Sequence, residues 1–387
     1  MGNVERADVI VVGLGAMGSA VTLRLARRGL RVIAFDQFEP PHDRGSTHGE
    51  TRITRLAIGE GADFVPLVVR SHELWRELEQ ETGTRLLHQT GGLVLGEPSH
   101  PFLNETRAAA VQYGIAHRNL SSAELKQRFP MFGAGSRTEA YLEPAAGYVR
   151  PEAAVAVQLS LAEAAGAQLH LGEAATAWDA RSAGVTVTTS GRTTQAAELV
   201  LCAGPWITKL WPDAGSMFAI QPQCLHWFPI CRGHDALAAM PIFIWGVEVD
   251  EDEFAHGMGF YGFPAIDGPH GGVKLATEVY GTNVDPDGPW RDELGGRAAE
   301  FYGRHVAQLL PWLGPEPLRT VPCLYTSTRG SRFITDRHPD HANVMLVSAC
   351  SGHGFKHSAA IGEAVAETVA TGETAGVLKP FGLPAEL

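Results

Sequence analysis

The stretch ADVIVVGLGAMGSAVTLRLARRGLRVIAFDQ, residues 7–37, leaves few options for the fold around it. Asp8–Val12 reads as a strand, the glycines that follow as a tight turn, the next ~13 residues as a helix, and Arg31–Asp36 as a second strand. Gly13, Gly15 and Gly18 fit G-x-G-x-x-G: the first permits the turn, the second lets backbone approach a pyrophosphate, and the third lets helix and strand pack closely. Unpaired N–H groups at the helix start would then face the phosphates. Asp36 ends the second strand, placed for ribose hydroxyls and unfavourable to a 2′-phosphate, which argues against NADP. A purely structural glycine turn would leave Asp36 unexplained. A bound dinucleotide is expected, and the motif alone does not separate FAD from NAD.

A chain of 387 residues exceeds what one hydrophobic core supports, so two or three domains are expected. The net charge of −12, with no basic patch to offset it, argues against nucleic acid and for a small-molecule partner. No apolar tract is long enough to span a bilayer. Cys202, Cys224, Cys231, Cys323 and Cys350 are odd in number and lack C-x-x-C spacing, so neither a disulfide framework nor a metal site is expected. The amino terminus has no small-residue cleavage pattern, and Arg6 stands where a myristoylation signal needs Ser or Thr; a cytoplasmic chain is the expectation.

Residues 44–61, RGSTHGETRITRLAIGEG, form a candidate second contact segment, the alternative being a solvated loop. Ser46, Thr47 and His48 can hydrogen-bond, and Arg52 and Arg55 would share one face if this segment were helical. Residues 71–83 read as a helix ending at a glycine, 85–98 as a strand pair, and 150–170 as a helix with Pro151 near its start. Residues 184–206 alternate like a small sheet and end in a turn after Cys202, which reads as an ordinary small hydrophobe. From about 216 to 317 strands dominate. In VKLATEV the period of two sets Lys274, Ala276 and Glu278 on one face, with Lys274 and Glu278 roughly 13 Å apart. A strand lysine is ordinarily a solvent-facing edge charge. Near the carboxyl end, strand, glycine turn and helix recur, with Gly352 and Gly354 flanking His353 and with Lys356 close to an anion-receptive helix start. The expected architecture is α/β: a discontinuous dinucleotide-binding domain (1–85, 150–215 and 318–387) with an inserted antiparallel β-rich substrate domain (86–149 and 216–317).

Laid out in this order, the chain resembles the monomeric sarcosine oxidase and N-methyltryptophan oxidase family over nearly its whole length. The resemblance rests on VIVVGLGAMGSA, on GSTHGETRITRLAIGEG followed by FVPLVVRSHELW, on FYGFP with VKL downstream, and on CLYTSTRGSRFITDRHPDHANVMLVSACSGHGFK. It implies FAD rather than NAD, on a glutathione-reductase-type, D-amino-acid-oxidase-like FAD fold. It also implies a sulfur link from Cys323 to the flavin, for which nearby cations would favour the thiolate nucleophile; an inert buried thiol and a redox-sensing one are the rival readings. By the same resemblance Lys274 promotes reaction with O₂, Arg55 and Lys356 hold a substrate carboxylate, and Tyr261 and Tyr325 line the substrate cavity. Arg52 and His48 pack near the flavin, together with Gly352, Gly354 and Phe355 of the carboxyl-terminal turn. The implied reaction is oxidation of the C–N bond of an N-methyl or cyclic amino acid to an imine, with O₂ reduced to H₂O₂, by a monomer. A dehydrogenase using a carrier instead of O₂, and a non-catalytic dinucleotide-binding protein, are the alternatives.

Three positions depart from the family pattern. Glu278 replaces a usual histidine and would repel a carboxylate or attract a cationic or hydrogen-bond-donating group. Leu56 and Ile58 replace His and Tyr, and an acidic insert lies between Trp245 and Tyr261. Leu56, Ile58 and Trp245 lead to the expectation of a substrate larger or more apolar than sarcosine.

Overall fold

The computed structural model describes residues 4–247 and 259–384. Its centre is a six-stranded sheet ordered Gln168–Leu171, Val32–Asp36, Val9–Val12, Glu198–Leu201, His341–Ser348, Ile334–His338. The first five strands are parallel and the last closes an antiparallel hairpin. The uninterrupted run Val9–Val12 is explained by burial on both sides, as parallel strands require. Val9 and Val11 face helices Ala16–Arg27, Val65–Thr82, Pro151–Ala164 and Ser358–Thr371, whereas Ile10 and Val12 pack on a small sheet that contributes Val185, Val187 and Ala196. Strands from both chain ends build this sheet.

The second large sheet has eight strands, ordered Arg319–Thr328, Phe218–Phe228, Val273–Thr277, Phe260–Gly262, Ile242–Trp245, Gly92–Gly96, Glu139–Glu143, Arg118–Leu120. It is antiparallel except where Ile242–Trp245 and Gly92–Gly96 run parallel. Arg319–Thr328 pairs along its length with Phe218–Phe228, and the chain then turns at Arg329–Ser331 into the parallel sheet.

Several local expectations need correction. The helix expected from residue 71 begins at Val65, with a proline in its first turn, and ends as expected at Gly83, which takes the left-handed conformation (φ 71°). The strands near 85–98 do not pair with each other: Leu87–His88 joins Gly147–Val149 in a three-stranded sheet, and Gly92–Gly96 joins the eight-stranded one. The chain turns between them at Gly91 (φ 77°), whose N–H is bonded to Ala146 O. Arg52 and Arg55 do not share a helix face, because Arg52–Thr54 is a strand and Arg55 follows it outside any helix. The acidic insert lies largely outside the described residues.

Candidate active site

A cavity of about 270 Å³, partly open to solvent, runs from the first glycine turn to the eight-stranded sheet. At one end are Gly13, Gly15, Asp36, Ser46, Thr47 and Arg52; at the other are Arg55, Tyr261, Cys323, Tyr325 and Lys356, with Gly352, Gly354 and Phe355 alongside.

The glycine end fits a dinucleotide on steric grounds. A Cβ on Gly13 would lie 2.4 Å from Cys202 O, and one on Gly18 would lie 1.7 Å from Gly13 O, so both are demanded by the packing of helix and strands. Gly354 is equally confined, its Cβ falling 1.6 Å from Ala349 O. Gly15 is different: the nearest atom to its added Cβ is Thr47 Oγ1 at 3.5 Å, so that position borders open cavity. Thr47 Oγ1 accepts a hydrogen bond from Ala16 N, tying the 44–61 segment to the helix start. Asp36 accepts from Leu14 N (2.7 Å) and Phe38 N (2.8 Å), pinning the glycine turn to the strand end, and burial raises its pKa. Each carboxylate oxygen keeps a second lone pair for a hydroxyl. Gly18 and His48 stand behind this lining; His48 is buried, its ring bonded to Gly45 O, and burial, then Arg52, pushes its pKa down to about 4.

Strand pairing arranges the other end. Tyr261 pairs with Ala276, Ala276 with Leu225 and Leu225 with Val321, and the flanking pairs are Trp227 with Lys274 and Gln223 with Cys323. Paired residues share a sheet face, so one face carries Tyr261, Lys274 and Cys323, with Tyr325 two residues further along its strand. The Tyr261 and Tyr325 hydroxyls approach to 3.4 Å. Burial holds both phenols above their usual range, Tyr261 to about 12.

Lys274 is no edge charge; it is buried in a central strand. Its Nζ donates to Gly49 O (2.6 Å), Thr51 O (2.8 Å) and Thr51 Oγ1 (3.1 Å), and lies 4.5 Å from the Phe263 ring. Burial and then Arg52 push its pKa well down, although three acceptors for three N–H groups favour the ammonium. Arg52 donates to Ser46 O and Thr51 O, so cation and strand lysine brace one stretch of backbone. Cys323 is buried, and here burial outweighs the two cations, lifting the thiol pKa to about 11 rather than favouring the thiolate. Cys202 is a buried small hydrophobe, as its strand pattern implies.

Arg55 and Lys356 are brought together by a residue the sequence reading passed over. Glu60, on the turn after Arg55, accepts from Arg55 Nη2 and from Lys356 Nζ (3.2 Å), and His353 Nδ1 lies 3.9 Å from it. All three side chains of the ion cluster are almost fully buried. Arg55 also donates to Ala57 O, and its guanidinium lies over the Phe102 ring. The only sequence signal was an acid held between Gly59 and Gly61, five residues after an arginine already singled out.

Glu278 is buried just past its strand and accepts from Tyr280 OH (2.9 Å). Leu56, Ile58 and Trp245 do not line the cavity. Ile58 is core, Leu56 packs on the same core with its N–H bonded to Glu143, and Trp245 lies on the opposite sheet face, stacked on Phe260. The apolar wall is instead Ile53, Leu225, Ile244 and Phe263 with the two tyrosines. Among the described residues no cluster of His, Cys, Asp or Glu could hold a metal, and no helix is long and apolar enough to cross a membrane.

A dinucleotide cradle opening onto a cavity lined by buried cations and phenols defines a dinucleotide-dependent oxidoreductase. The chain belongs to the FAD dependent oxidoreductase family, whose model matches residues 8–368, and within it to the monomeric sarcosine oxidase and N-methyl-L-tryptophan oxidase group. It is 38% identical over 380 residues to a monomeric sarcosine oxidase of Streptomyces avermitilis, covering 97% of this chain and 96% of that one. Identity to an N-methyl-L-tryptophan oxidase of Yersinia pestis is 33%, covering 93% and 94%. The solved structure of NikD, an unusual amino acid oxidase essential for nikkomycin biosynthesis, superposes with a TM-score of 0.83 over 99% of this chain and 98% of that one; at 24% identity this is likeness of fold.

Proposed function

We propose that this FAD enzyme oxidises the C–N bond of an amino acid carrying an N-methyl or other N-alkyl group, or of a cyclic amino acid, to the imine. The observation that carries the reading is a buried arginine–lysine pair on the wall of the same cavity that the glycine cradle opens into. A guanidinium fork plus a point charge suits a carboxylate, so Arg55 and Lys356 fix one end of the substrate. Tyr261 and Tyr325 flank the reacting amine, and Ile53, Ile244 and Phe263 keep water from it. FAD, when bound, would supply the two-electron acceptor for this oxidation, with O₂ as the final oxidant and H₂O₂ as the co-product. Water then hydrolyses the imine; an N-methyl substrate yields formaldehyde and the primary amino acid.

Gly13, Gly15, Gly18, Asp36, Ser46, Thr47, Gly352, Gly354 and Phe355 would hold the cofactor, His48 and Arg52 would support it, and Cys323 would anchor it through sulfur. Lys274 would stabilise negative charge as O₂ is reduced. The strand Arg319–Thr328 would serve both the cofactor-binding segments (1–85, 150–215 and 318–387) and the substrate-binding ones (86–149 and 216–317), since it pairs with the substrate-side sheet. A monomer acting in the cytoplasm completes the reading.

The apolar wall favours a substrate larger than sarcosine. The test is anaerobic bleaching of the flavin by a panel of N-methyl amino acids and cyclic imino acids, followed by admission of O₂ and assay of H₂O₂. Bleaching by secondary amino acids and not by their carboxamides is expected, with bulkier members ahead of sarcosine. Sarcosine as clearly the best substrate would remove the size argument, and equal turnover of the carboxamides would remove the role of Arg55 and Lys356.

A further inference from the structure

Arg55 and Lys356 are two cations packed into a site with little solvent, each nearly fully buried. Two like charges in low dielectric repel and tend to shed a proton, and the lysine is the one able to do so. The groups facing Lys356 are Glu60 and Arg55 from the segment after Arg52–Thr54, Glu278 from beyond Val273–Thr277, and His353 and His357 from its own turn. Of these Glu60 touches both cations, and Lys356 also donates to His353 O (2.8 Å).

Counting charge across the cluster, Arg55 and Lys356 contribute +2 and Glu60 −1. These three groups in direct contact therefore sum to one net positive charge, which a bound carboxylate would neutralise, with Glu278 the next acid facing Lys356. Without Glu60 the two buried cations would lose an acid that touches both of them.

We propose that Glu60 is a positioning residue: it keeps Lys356 protonated and Arg55 aimed, so that the pair presents one net positive charge to the substrate carboxylate. This rests on the reading of Arg55 and Lys356 as the carboxylate site. The alternative role, an internal competitor that the substrate must displace, predicts the opposite sign of effect on removal.

Burial lowers the Lys356 pKa to about 8 even with Glu60 opposing the shift. The lysine is thus cationic below that pH and neutral above it, and affinity for a carboxylate is present on the acid side and lost on the alkaline side.

The experiment titrates the holoenzyme with benzoate, an unreactive carboxylate, followed by flavin absorbance at a series of pH values. Wild type should bind with constant affinity in acid and weaken as pH rises through about 8. Glu60→Gln, which keeps shape and removes charge, should move that limb to lower pH and weaken benzoate at least ~5-fold at the wild-type midpoint. Glu60→Gln combined with Lys356→Arg should recover the affinity and lose the limb, because guanidinium does not titrate there. An unmoved limb in Glu60→Gln, or tighter binding, overturns the proposal. Should Glu60→Gln fail to fold, Lys356→Arg alone decides: it must abolish the alkaline limb, and its persistence is equally fatal. Lys356→Met separates the two levels, since unchanged benzoate affinity there refutes the carboxylate site itself, whereas weakened affinity beside an unmoved Glu60→Gln limb refutes only the role of Glu60.

Discussion

Alanine substitutions at Gly15 and Gly18, three residues apart, should fail in different ways. A methyl group on Gly18 would lie 1.7 Å from Gly13 O and 3.2 Å from the Cys202 Cβ, against a floor of 3.0 Å for such contacts. The helix start must therefore retreat from the strand by more than ~1 Å, an overpacking strain of about 3 kcal/mol. For a chain of this length unfolding as one unit, that lowers the melting temperature by about 4 °C. A methyl group on Gly15 meets nothing closer than 3.5 Å, and the residue sits at φ −70°, ψ −156°, open to alanine. Gly15→Ala should melt within ~1 °C of the parent, but its methyl enters the cavity at the helix start and should weaken FAD by ~30-fold, or about 2 kcal/mol. Both are measured on the Cys323→Ala background, where a covalent link cannot mask affinity: thermal melts of the apoprotein, then FAD titration by fluorescence quenching. Parent-like FAD affinity in Gly15→Ala, or a parent-like melt in Gly18→Ala, would refute the division of labour between the glycines.

Lys274→Met should leave anaerobic reduction by substrate intact while slowing reoxidation by O₂ about 100-fold, the worth of a unit charge at ~5 Å in an effective dielectric of ~20; unchanged reoxidation in stopped flow removes the assignment. Acid precipitation should carry yellow colour with the wild-type protein and leave it in solution for Cys323→Ala; colour lost from both excludes the covalent tether. Burial depresses the imidazole pKa of His48, His72 and His226 from 6.5 to about 4. Their contribution to stability is complete above the unfolded value and is lost as pH falls from 6.5 toward 4, so the melting temperature should decline across that window with proton uptake on unfolding. A flat profile there would show these rings titrating normally.

The glycine turn was legible because three demands coincide in one short segment: no room at Gly13 and Gly18, and open cavity at Gly15. The shared face of Lys274 and Ala276 was legible from alternation, because a strand has only two faces, whereas the tyrosines join that face only through cross-strand register. Trp245 was misplaced for the complementary reason, since its face depended on register with Phe260–Gly262 across an insert of uncertain length. Arg52 and Arg55 would have shared a face only on a helix, but pairing with Gly147–Val149, nearly a hundred residues distant, holds Arg52–Thr54 extended. Glu60 was invisible because its importance comes from Lys356, some three hundred residues away, and no local pattern announces such a partner.

The strand His341–Ser348 lies inside the parallel sheet, between Glu198–Leu201 and its own hairpin partner, and the turn that follows it walls the cavity. On the ribosome that strand emerges long after the glycine turn. A nascent chain can complete the glycine turn early, yet it lacks this wall of the groove until the strand and the turn after it have been made. Loading of the cofactor therefore waits on that strand, and chains interrupted before residue 341 should be released colourless however well their amino-terminal part folds.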